Sequence, residues 1–152
     1  LAVLDGLPED EPHLRTRRDV VDNLWGAHRE SGAFERGLEV TQEYLARAER
    51  AGYPWCVAAA HWMVHWALVW AHIGAGIRGT ESATRLVREQ MAKTLQIAEA
   101  HGLADWRATV LTRMAECPRG EDAPRCEALL RQVLQAPEGV PTDTIRDAPT
   151  PG

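Results

Sequence analysis

One sequence pattern occurs twice in the chain, and this repetition limits the folds that the chain can adopt. In the first copy an apolar helical stretch ends near Gly32, and a second stretch ends in a segment that runs from Ala48 to Gly52. In the second copy the corresponding stretches end near Gly74 and at Gly102, again four residues after an alanine. Self-similarity of this kind is typical of stacked supersecondary units. Such units bury one face against their neighbours and present an extended surface, which favours binding over catalysis.

Composition excludes several classes of protein. A chain of 152 residues with 45% hydrophobic and 26% charged residues is expected to form one soluble domain with a single core. The net charge of −5 and the lack of a basic run argue against direct binding of nucleic acid. The longest apolar stretch, 57–73, is interrupted by His61, His65 and His72, so we expect it to be too short and too polar to span a membrane.

The cysteines and the first residues bear on location. There is no secretion signal, and the three cysteines form no CxxC pair, so they fit a reducing compartment. We therefore expect a cytoplasmic protein. Because the chain begins with Leu1 and not with Met, we expect either a fragment of a longer protein or a processed or trimmed chain.

Helical periodicity extends through most of the chain, and no stretch alternates as a strand would. Residues 1–13, with two prolines and several acids, are predicted to be a linker or N-terminal extension without ordered helix. Residues 14–136 are predicted to be the helical domain, and 137–152 a disordered tail. Within the domain, glycine stops and proline starts predict six helices, at about 14–31, 34–52, 54–73, 80–102, 104–116 and 122–135.

Short connections make neighbouring helices antiparallel, so six helices give three hairpins. The predicted fold class is therefore all-α, with the hairpins stacked as a short α-solenoid. Its core is predicted from apolar positions at helical spacing, which are Leu24, Phe34, Leu38, Leu45, Met63, Trp66, Trp70, Leu86, Met91 and Leu95.

The first hairpin resembles the tetratricopeptide repeat (TPR). The likeness is carried by the stretch 23–27, by Gly32, Phe34 and Gly37, and in the second unit by Met63, Trp66-Ala67, Trp70 and Gly74. Helices longer than those of the 34-residue repeat make the chain similar to helical-repeat regions of large bacterial transcriptional regulators. The resemblance implies a concave groove lined by the first helix of each hairpin, which docks a peptide, a partner helix or another copy of the chain.

In the TPR-like register several side chains are expected to face away from the hairpin seams and to line this groove. They are Asp22, Arg29, His61, His65, Leu68 and His72, with Trp62 added as an aromatic anchor for a ligand. The leading function is therefore a protein-binding regulatory module. The alternative is a helical domain that senses a small molecule through Trp62 and His65.

A metal site is a remote alternative. His61 and His65 lie four residues apart and share a helical face with His72, a spacing that can hold a divalent metal. However, Trp62 stands where a zinc protease of the HExxH type has its glutamate, and no third ligand is evident. We therefore expect no tight metal site, no cofactor and no enzyme activity.

Overall fold

The computed structural model describes residues 5–116 together with Ala128 and Arg131. Within these residues there are helices and no strand, which confirms the all-α class. The predicted helices within this range are all present, although the first begins earlier than expected. The predicted sixth helix, apart from those two positions, and the predicted tail lie outside the described residues. The helices are α1 (Glu11–Glu30), α2 (Phe34–Ala51), α3 (Pro54–Gly74), α4 (Glu81–His101) and α5 (Ala104–Ala115).

The start of α1 corrects the prediction that prolines keep 1–13 out of a helix. The carboxylate of Asp10 accepts a 3.1 Å hydrogen bond from the backbone N–H of His13, which caps the helix. Pro12 lies in the first turn, where a missing N–H costs nothing. The prolines therefore start this helix and do not prevent it.

Residues 5–10 are held to the first hairpin by ion pairs. The carboxylate of Asp5 lies 2.7 Å from Arg47 of α2 and 3.6 Å from the buried Arg17 of α1. Glu9 lies 3.5 Å from Arg47 and 3.4 Å from Arg50. This acidic segment therefore covers part of the first two helices.

The two Ala-x-x-x-Gly segments adopt the same helix ending. Gly52 and Gly102 have φ values of +76° and +65°, a left-handed conformation that favours glycine. Each donates its N–H to the carbonyl of the alanine four residues earlier, Ala48 or Ala98, and both alanines are buried. The second helices of the two copies therefore end alike.

The first helices of the two copies, α1 and α3, also end alike. In the second copy the glycine that follows the helix end lies two residues later than the sequence indicated. Ser31 and Ala75 are the C-caps of α1 and α3, and each is followed by a glycine of positive φ, Gly32 at +76° and Gly76 at +69°. Gly76 is thus the structural counterpart of Gly32. The pairing of Gly32 with Gly74 in the sequence was wrong by two residues.

The helices pack in chain order, with α3 at the centre. α3 contacts α1, α2 and α4, and α5 packs against α4. α1 and α2 meet closely at Gly37, where a β-carbon would lie 2.9 Å from the Cδ1 atom of Trp25. The main buried cluster joins the first three helices and consists of Leu14, Val21, Tyr44, Ala48, Cys56, Ala60 and Met63.

The core differs in part from the predicted one. Met63, Trp66 and Met91 are buried, whereas Leu86 is 41% exposed, and the other predicted core residues are half-buried. On α4, small and hydroxyl side chains such as Thr94 and Ala98 face inward instead, because they let the helices approach closely.

α3 is long and apolar enough to cross a membrane, by length and composition only. Its 21 residues include an 18-residue window with a mean hydropathy of 1.2, so the expectation that this stretch is too short and too polar was wrong. Three other helices pack on α3, and 56% of that window is buried. Burial at the centre of the bundle accounts for its apolar sequence.

A tryptophan face on the central helix

Four tryptophans lie along one side of α3. Trp55, Trp62, Trp66 and Trp70 are spaced seven, four and four residues apart, which places them on one helical face. Trp66 is 9% exposed, and the other three are half-buried. We call these four residues the tryptophan face. It lies between α1 and α5, since side chains of both helices contact its rings.

Arginines of α1 cover one edge of the tryptophan face. The guanidinium carbon of Arg15 lies 4.1 Å from the ring centroid of Trp55. That of Arg29 lies 5.1 Å from the ring of Trp25 and 5.7 Å from the ring of Trp70. These distances are within the range of cation–π attraction.

The two arginines of α1 differ in their acidic partners. Arg15 pairs with Glu11 at 2.7 Å. For Arg29, no carboxylate of residues 5–116 lies within ion-pairing distance. Arg29 therefore has donors that an external acid can use.

Side chains of α5 cover the other edge. The guanidinium carbon of Arg113 lies 4.4 Å from the ring of Trp66. The ring of Trp106 meets that of Trp55 edge-on at 5.7 Å and lies 6.3 Å from that of Trp62. Aromatic pairs at these separations prefer such tilted arrangements.

One end of the tryptophan face borders an open cavity. The ring of Phe34 stacks on Trp70 with 6.0 Å between centroids. Gly74 permits this stack, because a β-carbon there would overlap the Phe34 ring. The cavity, of about 350 Å³, lies between the α1–α2 turn and the end of α3 and includes Phe34 and Gly74 in its lining.

His61 lies on a different side of α3, between α2 and α4. Its Nδ1 atom is 2.8 Å from the side-chain oxygen of Gln90, and its Nε2 atom is 3.7 Å from a carboxylate oxygen of Glu49. Burial lowers the pKa of His61, and the Lys93 ammonium acts in the same direction, while the Gln90 hydrogen bond and Glu49 oppose them. The side chain therefore links three helices.

His65 is fully buried beside two tryptophans. Its ring centroid is 4.8 Å from those of Trp62 and Trp66. In the part of the chain that the structure describes, no group meets the distance and angle of a hydrogen bond to either ring nitrogen, although the backbone of Trp62 lies near enough to favour the protonated ring. Burial lowers the pKa of His65 to about 3, and the charge of Arg113 adds to the effect, whereas the backbone of Trp62 opposes it.

The structure places the predicted site residues on two sides of α3. The expectation that the histidines face away from the hairpin seams was wrong, because His61, His65 and His72 are all buried. Trp62 and His65 are in contact. The remaining three, Asp22, Arg29 and Leu68, are half-buried, and their role in binding a partner stays a prediction.

Sequence reasoning missed most of the tryptophan face. The sequence predicted Trp62 as a ligand contact and Trp66 and Trp70 as core; Trp66 is buried as predicted, whereas Trp70 is half-buried. The contacts from α1 and α5 join positions as distant as Arg15 and Trp55, and no local signal reveals them.

Two further features concern metals and a second surface. No three histidine, cysteine or acidic side chains among residues 5–116 come together as metal ligands. The outer side of α4 carries an open cavity of about 610 Å³ with charged residues such as Arg88 and Glu89 in its lining. Exposed apolar side chains on this part of the chain are Ile77 and Leu86.

Comparisons of the chain with protein families, with curated proteins and with solved structures found no match. Function is therefore inferred from the geometry and chemistry of the described residues.

Proposed function

We propose that this chain is a TPR-like module that binds a segment of another protein on the tryptophan face. The order of packing supports stacked hairpins, because each helix contacts the next and α1 also contacts α3. In that arrangement α1, α3 and α5 are the first helices of successive hairpins and line the concave side. The tryptophan face lies on this side, between α1 and α5.

The observation that carries the proposal is the pairing of half-buried tryptophans with arginines. Trp and Arg are the residues most enriched at binding hot spots, where they supply large contact areas and fixed donors. Trp55 and Trp70 each carry an arginine from α1, so both residue types are held in place before a partner arrives. Such preorganisation reduces the entropy that is lost on binding.

The partner is a peptide or helix with apolar and acidic side chains. Apolar groups pack on the indoles, and an acidic group pairs with Arg29, which has no carboxylate of residues 5–116 within ion-pairing distance. As part of a larger bacterial regulator in the cytoplasm, the module would transmit the binding of such a segment. A second copy of the chain remains an alternative partner.

The experiment is a selection from a displayed peptide library, followed by measurement of Kd for the best peptide. We expect Arg15→Ala and Arg29→Ala each to weaken binding by about tenfold or more. Arg85→Ala is the matched control, because Arg85 is exposed on the outer side of α4 and pairs with Glu89 on the same helix. Equal affinities for the wild type and both test variants would contradict the proposal.

Sensing of a small molecule is the second candidate, and one observation favours it. His65 has two buried ring nitrogens without a partner among the described residues. Buried polar groups in native proteins almost always have a partner, either protein, water or ligand.

A further inference from the structure

At the seam between α3 and α5, two buried side chains, His65 and Trp106, and the half-buried Arg113 have buried polar atoms without a hydrogen-bond partner among the described residues. These atoms are both ring nitrogens of His65, the indole nitrogen of Trp106 and the Nε atom of Arg113. Each is closed to solvent, and none has a hydrogen-bond partner among the described residues. An unmet buried donor or acceptor costs about 1–3 kcal/mol, so several of them in one seam call for a further partner, either water or a ligand.

Ring contacts connect these side chains into one group. The imidazole of His65 lies between the indoles of Trp62 and Trp66, at 4.8 Å from each. Arg113 lies over Trp66, and its charge acts on His65. Trp106 contacts Trp62 from α5. The unpartnered atoms are thus framed by flat aromatic walls.

The chemistry of these atoms selects the missing partner. Arg113 and Trp106 can only donate, and a neutral imidazole donates from one nitrogen. The other imidazole nitrogen accepts, so three of the four atoms are donors that need acceptor oxygens, and the positive charge of Arg113 favours an anion. The ion pair of Arg113 with Glu116 uses a different atom, Nη1, at 3.8 Å, and leaves Nε without an acceptor.

We propose that this seam binds a small carboxylate, which accepts hydrogen bonds from His65 and Arg113 and packs its apolar part on the indoles of Trp62 and Trp66. This site is distinct from the peptide-binding surface proposed for the tryptophan face, since its unpartnered polar atoms are closed to solvent. Access requires α5 to separate from α3. We infer that α5 keeps its packing on α4 during this separation, because that contact is more extensive than the one with α3.

Benzoate is a suitable probe, and benzamide is its neutral isostere. We expect benzoate to raise the melting temperature and to change the tryptophan fluorescence in a saturable way, and benzamide to do neither. Arg113→Gln and His65→Phe should each weaken benzoate binding by about tenfold or more. Arg107→Gln is the matched control, because Arg107 is on the same helix but pairs with Glu99 at 3.7 Å.

Three results would overturn the proposal. They are no response to benzoate, an equal response to benzamide, and binding that Arg113→Gln leaves unchanged. If His65→Phe does not fold, Arg113→Gln alone decides. Arg15→Ala distinguishes this site from the peptide-binding surface on the tryptophan face, because it should weaken peptide binding and leave benzoate binding intact.

Discussion

The hydroxyl of Tyr44 donates a 3.1 Å hydrogen bond to the backbone carbonyl of Leu14, and so joins α2 to α1. In the second hairpin the hydroxyl of Thr94 lies 3.1 Å from the carbonyl of Gln90 on its own helix and 3.5 Å from the carbonyl of Ala58 on α3. Each hydroxyl stands four residues before the alanine that accepts the glycine cap. Both hydroxyls therefore lie at the seam of their hairpin, but only that of Tyr44 has its shortest hydrogen bond across it.

The first prediction concerns the hydrogen bond of Tyr44. Tyr44→Phe keeps the ring but leaves the Leu14 carbonyl without its side-chain donor, so we expect the free energy of unfolding to fall by about 0.5–1.5 kcal/mol. Urea denaturation measures it. Tyr53→Phe is the control, because Tyr53 is half-buried beside the same cluster and no side-chain hydrogen bond is seen for it in residues 5–116. Equal changes in both variants would mean that the Tyr44 hydroxyl has no specific role.

Two glycines in α1 and α3 should respond in opposite ways to the same substitution. Gly26→Ala adds a β-carbon with nothing within 4 Å, so the better helix propensity of alanine should stabilise the fold by about 0.5–1 kcal/mol. Gly74→Ala places a β-carbon against the Phe34 ring, and displacing that ring breaks its stack on Trp70. We expect a loss of about 1–3 kcal/mol.

Thermal and urea unfolding of both variants test the contrast. A stabilising Gly74→Ala would show that Phe34 moves away without cost. The stack on Trp70 would then not hold this end of α3 in place.

Stability should fall in acid because of His65. Its pKa is about 3 in the folded chain and near 6.5 when exposed, so the unfolded chain binds the proton first. Lowering the pH from about 6.5 to about 3 therefore favours unfolding, by up to about 1.4 kcal/mol per pH unit from this group. The contribution of neutral His65 to the free energy of unfolding is fully present above about pH 6.5.

The difference between the wild type and His65→Phe isolates this effect. We expect the wild type to lose stability relative to the variant as the pH falls through this window, in urea titrations at several pH values. His101→Asn is the control, because His101 is exposed at the end of α4. A constant difference between wild type and His65→Phe would show that the folded chain protonates His65 as readily as the unfolded one.

The sequence predicted the helices within the described range well, because their limits are local. A helix end in the left-handed conformation favours glycine, so single residues such as Gly52 and Gly102 mark the helix ends in the sequence. The early start of α1 was missed because Pro12 was treated as a breaker, whereas Asp10 makes it part of a helix start.

The candidate site could not be found in the same way, because it depends on which face of α3 meets which neighbour. α3 is apolar on more than one side, so its sequence does not show which of its side chains meets which neighbouring helix. The side of α3 that carries His61 is identified by its contact with Gln90, and the tryptophan face by the contact of Trp66 with Arg113. These are contacts between residues far apart in the chain.

Trp66 tests whether the tryptophan face is also a structural element. Its ring is 9% exposed, packs against His65 and Trp62, and lies under Arg113. Trp66→Ala should therefore leave a cavity between α3 and α5 and lower the free energy of unfolding by about 3–5 kcal/mol. Arg15→Ala removes a cation from a half-buried tryptophan and should cost about 1 kcal/mol or less. Thermal melts rank the two variants. If the melting temperature of Trp66→Ala equals that of the wild type, the ring is exposed in solution, and α5 does not pack on α3 as described.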